Sequence, residues 1–276
     1  MTPIGARPRS GRAHGGNEGV GASEPPSKCD GPYRAVLFDL FGTLIHFDPT
    51  TLPEMVLDGR RVRATLPLWS GLIEDALPEL RIERFAAAIV TASEELDRER
   101  VATAQEHPSR ERFRRALVHA GCDLDRAIEL APLCARAHMR AIADATRFPP
   151  EHAAFLADVA ARRAVGVITN FDDTATAYEI LARHGILAHA RTVVVSEAVG
   201  LRKPHPALVR IALRDLDVAP SHAVLIGDHA HEDVGAATAA GIDAIWIDLH
   251  QKGAARDAPT PRYVIQKLTD ALPLLG

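Results

Sequence analysis

Residues 34–45 read RAVLFDLFGTLI. Four apolar residues run unbroken into Asp39, and Gly42-Thr43 follow directly. A short apolar run of this kind has the pattern of a strand buried on both faces of a parallel sheet, with a polar group delivered at its carboxyl end. Similar runs recur at Ala164–Thr169 (AVGVIT), Thr192–Val195 (TVVV), Ala223–Gly227 (AVLIG) and Ala244–Asp248 (AIWID). Helical patterns lie between the later ones, at Thr174–His184, Pro206–Leu216 and Asp233–Ala240. Strands alternating with helices of this length predict an α/β fold with a parallel sheet covered on both faces.

From about Asp48 to Phe148 the rhythm stops. No strand pattern stands out, and helices are expected at Glu83–Arg100, Ser109–Ala120 and Arg126–Ala143. Phe113, Leu117 and Val118 recur at helical spacing, with arginines and glutamates on the opposite face. The expected organisation is a Rossmann-like core of residues 34–47 and about 149–276, with a helical insert over 48–148.

Composition excludes several classes of function. The chain has 276 residues, 47% of them hydrophobic, and a net charge of −4. It lacks the basic field that holds a nucleic-acid backbone. No apolar run approaches the roughly 18–20 residues needed to span a bilayer. Cys29, Cys122 and Cys134 are scattered and odd in number, which suggests neither a disulfide framework nor a zinc site. Residues 1–32, rich in Gly, Pro, Ser and Arg, contain no apolar signal segment and read as a disordered tail. A cytoplasmic location follows by default. Lysine occurs only at positions 28, 203, 252 and 267, so a single lysine inside the core draws attention.

In open parallel sheets, ligands collect beyond the carboxyl ends of the strands. Asp39, Thr169, Asn170, Ser196 and Asp228 are placed there, with Lys203 in the loop after the third run. Each alone has a plain structural reading as a turn cap or strand-end polar residue. Together they assemble a nucleophile, hydroxyl, amide, cation and second acid from separate strand ends.

These residues stand in the order of four short motifs: VLFDLFGTLI with Asp39, VITN with Thr169, GLRKPHP with Lys203, and IGDHAHEDVGAATAAGI with Asp228 and Asp233. In this the chain resembles the haloacid dehalogenase-like hydrolases, over roughly residues 34–275. The resemblance implies a covalent aspartyl intermediate on Asp39, splitting one difficult step into two. Lys203 would neutralise charge between nucleophile and substrate. Thr169 and the amide groups near Asn170 would donate to the anionic group, and Thr43 would bond the turn or the substrate. A Mg²⁺ ion would be held by Asp39, the Phe41 backbone carbonyl and Asp228, with Asp233 as a direct ligand or orienting its waters or Lys203. The 130 positions between Asp39 and Thr169 resemble the family type with a helical cap inserted after the first motif. The partner would be a small anionic metabolite, and the protein a monomer or homodimer.

One position departs from the pattern. The family's phosphatases carry a second Asp two residues after the nucleophile, where this chain has Phe41. That acid protonates the leaving oxygen, and the loss of such a group costs about 10²–10⁴ in rate. The 2-haloacid dehalogenases place an aromatic residue there, but they work without metal and replace the acid at the Asp228 position. Here Asp228, Glu232 and Asp233 form a negative cluster expected beside Asp39, which favours a bound cation. Phosphonoacetaldehyde hydrolases need a cap lysine, and 48–148 contains none. Mg²⁺-dependent cleavage of a small phosphorylated metabolite ranks first, dehalogenation second, and an inactive binding module third. His46, His229 and His231 stand near the motifs without an assigned role.

Overall fold

The computed structural model describes residues 33–57, 59–249, 253 and 258–276. The segment read as a disordered tail, 1–32, lies outside them. The chain opens with β1 (Ala35–Phe38), followed by the two-residue strand β2 (His46–Phe47) and a hairpin of β3 (Glu54–Leu57) and β4 (Arg60–Arg63). Helices α1 (Ser70–Ala76), α2 (Ile82–Thr103), α3 (Ser109–His119) and α4 (Leu124–Asp144) follow, then β5 (Thr146–Arg147) and α5 (Pro150–Ala160). The remainder runs β6 (Ala164–Thr169), α6 (Thr174–Arg183), β7 (Thr192–Val195), α7 (Ser196–Val199), α8 (Ala207–Leu216), β8 (Ala223–Gly227), α9 (Gly235–Ala240), β9 (Asp243–Ile247) and β10 (Tyr263–Ile265).

Six strands form one sheet in the order β10-β9-β8-β1-β6-β7, every neighbouring pair parallel. The chain works outward from β1 to β6 and β7, then returns to build β8, β9 and β10 on the other side. The reversal falls between β1 and β8, which is where an open parallel sheet leaves a crevice beyond its strand ends. Side chains of β1 alternate between the two faces: Val36 and Phe38 join one buried cluster, Ala35 and Leu37 the other. The fold is therefore α/β with a Rossmann-like parallel sheet, as the apolar runs imply.

The insert has its own apolar cluster, from Leu66 to Ala135. In α2, Phe85, Ala88, Ala92 and Leu96 recur at helical spacing and are buried. Phe113 of α3 packs edge-on against Trp69 at 5.6 Å between ring centroids, and removing such a side chain costs about 3–5 kcal/mol. Cys134 is buried within the cluster and Cys122 packs against it, as small hydrophobes. Antiparallel pairing of β2 with β5 joins the two ends of the insert.

Two local expectations are corrected. The insert contains strands: β3 and β4 pair with Met55 opposite Val62. Met55, Leu57 and Val62 face inward, while Glu54, Val56 and the three arginines stay exposed. The helix expected at Asp233–Ala240 instead begins with a wide five-residue π turn, Ala230–Val234, before α9. Among the described residues, no helix is long and apolar enough to cross a membrane.

Candidate active site

Strand β1 delivers Asp39 to the crevice, and the backbone N–H of Asp39 donates to the Ile226 carbonyl of β8 at 2.9 Å. The chain then turns back sharply at Gly42, whose φ is +83°. A side chain here would collide with Asp228, since a Cβ would lie 2.2 Å from its Oδ2. Glycine thus lets the loop after Asp39 pass directly over Asp228. Gly227 plays the matching part beneath, where a Cβ would lie 2.3 Å from Asp233 Cγ. Both glycines make room for carboxylates.

Lys203 is fully buried, which is rare for lysine unless it is paired. Its Nζ donates to Asp39 Oδ1 at 2.5 Å, to Asp233 Oδ1 at 2.6 Å and to the Ile168 carbonyl at 3.3 Å. All three ammonium protons are placed. Asp233 also accepts from the His229 backbone N–H through Oδ2 at 2.9 Å. Both its oxygens are engaged, so Asp233 holds the lysine; of the two roles considered for it, orienting Lys203 is the one this geometry supports. Asp39 Oδ2 accepts no hydrogen bond among the described residues.

The Asn170 side chain is committed within the protein. Its Oδ1 accepts from the Lys203 backbone N–H at 2.8 Å, and its Nδ2 donates to the Lys203 carbonyl at 3.0 Å and to Glu232 Oε2 at 2.9 Å. Both side-chain donors are taken, so the carboxamide has none left for an anionic substrate. It clamps the loop that carries Lys203. Glu232 also departs from the expected cluster of free acids, because it pairs with Arg202 at 3.1 Å as well as with Asn170.

A second buried ionic group escaped the sequence reading altogether. Glu106, between α2 and α3, meets Arg100 at 2.9 Å and Arg202 at 3.3 Å and accepts from Ser196 Oγ at 2.7 Å. Asp172, just after Asn170, meets Arg100 at 3.2 Å and Arg112 at 2.5 Å. Backbone bonds Glu106 N–H to Gly200 O, Ser109 N–H to Asp172 O and Arg202 N–H to Ala104 O run alongside. The insert is thereby stitched to the two loops that frame Lys203. Ser196, a strand-end candidate, is used here as a latch.

Around Lys203 the charges do not balance. One oxygen from each of Asp39, Asp228 and Asp233 lies within 4.8 Å of the others. Burial raises Asp228 to about 6, with Asp233 adding to the shift. Burial likewise pushes Asp39 above the usual carboxylate range; Lys203 opposes this, and Asp233 and Asp228 add to it. Burial alone would lower the lysine, but Asp233 and Asp39 overcome it and hold the ammonium above its ordinary value. Three carboxylates against one ammonium leave an excess of two negative charges. A hard divalent cation on oxygen ligands fits that excess.

The remaining predicted residues fall as follows. Thr169 is buried at the end of β6. Thr43 is fully buried and its hydroxyl has no protein partner among the described residues, so it does not bond the turn. The Phe41 ring stacks on Phe171 with centroids 5.0 Å apart. His46 lines a cavity of about 270 Å³ beside Gly42 and Thr43, with His152 and Lys267 opposite.

The profile of the haloacid dehalogenase-like hydrolases matches residues 33–241 of this chain. A phosphoserine phosphatase of Thermus thermophilus is 39% identical over 145 residues, which cover 51% of this chain and 55% of that protein. A glyceraldehyde 3-phosphate phosphatase of Methanothermobacter thermautotrophicus is 37% identical over 93 residues, 34% of this chain and 41% of that one. The chain thus aligns with about half, or less, of the length of these relatives. Among solved structures, a 2-haloacid dehalogenase from Pseudomonas syringae superposes with a TM-score of 0.65 at 26% identity, covering 88% of this chain and 97% of that one. An HAD phosphatase from Thermococcus onnurineus, at 20% identity, shares the fold with a TM-score of 0.55 and coverage of 88% and 98%.

Proposed function

This chain belongs to the haloacid dehalogenase-like hydrolases, and we propose that it cleaves a small phosphorylated metabolite in the cytoplasm, as a monomer or homodimer, with Asp39 as nucleophile. The unbalanced charge around Lys203 carries this reading. Three acids within 4.8 Å of each other against a single ammonium suit a site completed by Mg²⁺. Asp39, the Phe41 carbonyl and Asp228 would hold the ion. When bound, it supplies positive charge that neutralises a phosphoryl group facing the nucleophile.

The chain's own groups divide the remaining work. Asp39 attacks phosphorus, the P–O bond to the leaving group breaks, and water then cleaves the aspartyl phosphate to free Asp39 and inorganic phosphate. Lys203 holds Asp39 Oδ1, which leaves Oδ2 as the oxygen available for attack. Asp233 and Asn170 keep the lysine in place. Residues 48–148 serve as a cap that excludes water. Because Phe41 cannot donate a proton, the leaving group must depart without one, as an acyl phosphate permits. The names of the phosphatase relatives support this class of reaction.

A second reading, dehalogenation, has one observation in its favour. Phe41 stacks on Phe171 beside the site, and halide departure needs no acid. The two are separated by assaying phosphate release from acetyl phosphate and p-nitrophenyl phosphate, and halide release from L-2-chloropropionate, each with Mg²⁺ and with EDTA. Phosphate release that needs both Mg²⁺ and Asp39 upholds the proposal. Halide release indifferent to EDTA overturns it.

A further inference from the structure

The insert carries an apolar pocket, open to solvent on one side, that the hydrolytic chemistry does not use. It measures about 280 Å³ and lies between the β3–β4 hairpin and the helices, walled by Met55, Leu57, Leu66, Trp69, Ile89 and Phe113 among others. Its lining shares no residue with the cluster of Asp39, Lys203, Asp228 and Asp233. Only three lining side chains are polar: Arg63, Thr65 and His138. The Arg63 guanidinium is occupied by the carbonyls of Thr50 and Leu52 and by Glu54.

Thr65 and His138 form a chain whose protons can be placed by elimination. Arg112 Nη1 lies 3.5 Å from His138 Nε2, and a guanidinium only donates. Nε2 is therefore the acceptor, and in the neutral ring Nδ1 carries the hydrogen. Burial first, and Arg112 second, lower this histidine to about 3, so the ring is neutral at physiological pH. Nδ1–H then donates to Thr65 Oγ1 at 2.7 Å. The indole N–H of Trp69 points at the same oxygen from 3.5 Å. Two donors fill the acceptor capacity of the hydroxyl. Its own hydrogen has no acceptor among the described residues, and Thr65 is 93% buried and lines the cavity. A buried donor without an acceptor costs about 1–3 kcal/mol.

We propose that this cavity is a second binding site, for a neutral bicyclic aromatic molecule with one hydrogen-bond acceptor that takes the Thr65 hydroxyl proton. Size supports two fused rings, because an apolar cavity of about 150 Å³ holds benzene and this one is roughly twice as large. Trp69 and Phe113 in the wall offer the ring contacts that aromatic ligands pack against. The apolar lining disfavours a charged ligand, which would surrender hydration without a counter-charge. A ligand that only donates is disfavoured as well, since Thr65 Oγ1 has no lone pair left.

Quinoline and indole test the idea. They match in size, but quinoline presents an acceptor where indole presents a donor. Calorimetric titration of the full-length protein at pH 8 is expected to show quinoline binding about tenfold more tightly than indole, the range of one hydrogen bond. Thr65→Val is expected to abolish that preference. Ala86→Leu, which fills the cavity from another wall and leaves the hydroxyl alone, is expected to weaken both ligands at least tenfold and covers the case in which the Thr65 variant fails to fold. Asp39→Asn is expected to leave quinoline affinity unchanged. Equal affinities, absence of binding, or a preference that survives Thr65→Val overturns the proposal. Loss of binding in Asp39→Asn also overturns it, by moving the ligand into the reaction site.

Discussion

Two buried ionic groups lie side by side in this protein, and their charge balance separates them. Around Lys203, three carboxylates face one ammonium. Next to it, the buried or half-buried Glu106, Asp172 and Glu232 face Arg100, Arg112 and Arg202, with the exposed Asp97 a further acid on Arg100. Both groups are largely dry, and both join loops distant in sequence. The balanced one satisfies its charges internally and can only hold the insert in place. The other retains an excess of negative charge that needs a cation or a proton. It also has a carboxylate oxygen, Asp39 Oδ2, with no hydrogen-bond partner among the described residues. Burial alone therefore does not mark a reactive site here; incomplete neutralisation does.

The largest expected contrast is in turnover. Asp39→Asn should lower the rate of phosphate release by on the order of 10⁴-fold, as removing a group that acts directly in a covalent step commonly does. The same variant should fold at least as stably as the parent, because it removes one of three crowded carboxylates. Kinetics and denaturant melts on one preparation check both. A variant that melts much earlier would mean that Asp39 is a structural member of the pair with Lys203, and the distinction between the two groups would fail.

The balanced group should behave in the opposite way. Glu106→Gln leaves Arg100 and Arg202 short of a counter-charge in a site where Glu106 has a 1% exposed side chain. Breaking a buried pair in this manner costs about 3–5 kcal/mol. Urea unfolding should show that loss, while Mg²⁺ continues to raise the melting temperature of the variant. An insensitive midpoint would demote Glu106 to a bystander.

The two groups also differ in how far the amino-acid sequence revealed them. Asp39, Thr169 and Asp228 were legible because each ends a run of buried apolar residues, and a parallel strand delivers its last residue to the crevice. Lys203 stood out through scarcity. Position at a strand end locates a side chain without saying what it bonds, which is why the clamp of the Asn170 side chain on the Lys203 backbone could not be read from sequence. Glu106 gave little local signal, since Arg100 is its one partner near in sequence and Ser196 and Arg202 lie 90 and 96 positions away. The β3–β4 hairpin was missed for another reason. Its Asp58-Gly59 pair is a turn signature, but four-residue strands with three arginines hide their alternation of inner and outer side chains.

Metal binding tests the charge excess directly. At a Mg²⁺ concentration one hundred times its dissociation constant, a site present only in the folded state gains about 2.7 kcal/mol. Asp228→Asn should remove most of that gain, whereas Glu232→Gln, outside the unbalanced group, should retain it. Thermal melts with Mg²⁺ and with EDTA read the difference. Equal shifts in both variants would contradict the assignment of Asp228 as a ligand.

The smallest expected effect compares two single groups, Asp228 and His138, which should respond to acid with opposite signs. Asp228 is raised in the folded protein to about 6, above the unfolded carboxylate at about 3.9. As pH falls from 7 to 5 without metal, the folded state takes up a proton there before the unfolded state does, and stability rises. His138, beside Arg112 of the balanced group, is lowered to about 3 against about 6.5 unfolded. Over the same interval the unfolded chain takes up its proton first, and stability falls. Each contribution is on the order of 1–2 kcal/mol, and Asp39, raised to about 7 by burial, adds to that of Asp228. Asp228→Asn should reduce the stabilisation toward acid. His138→Gln should enlarge it. Saturating Mg²⁺ should make the parent imitate Asp228→Asn, since a cation on the carboxylates removes their reason to bind a proton. Parallel pH slopes in all three proteins would show that the groups do not differ in charge balance, and the argument for a metal at Asp39 would lose its footing.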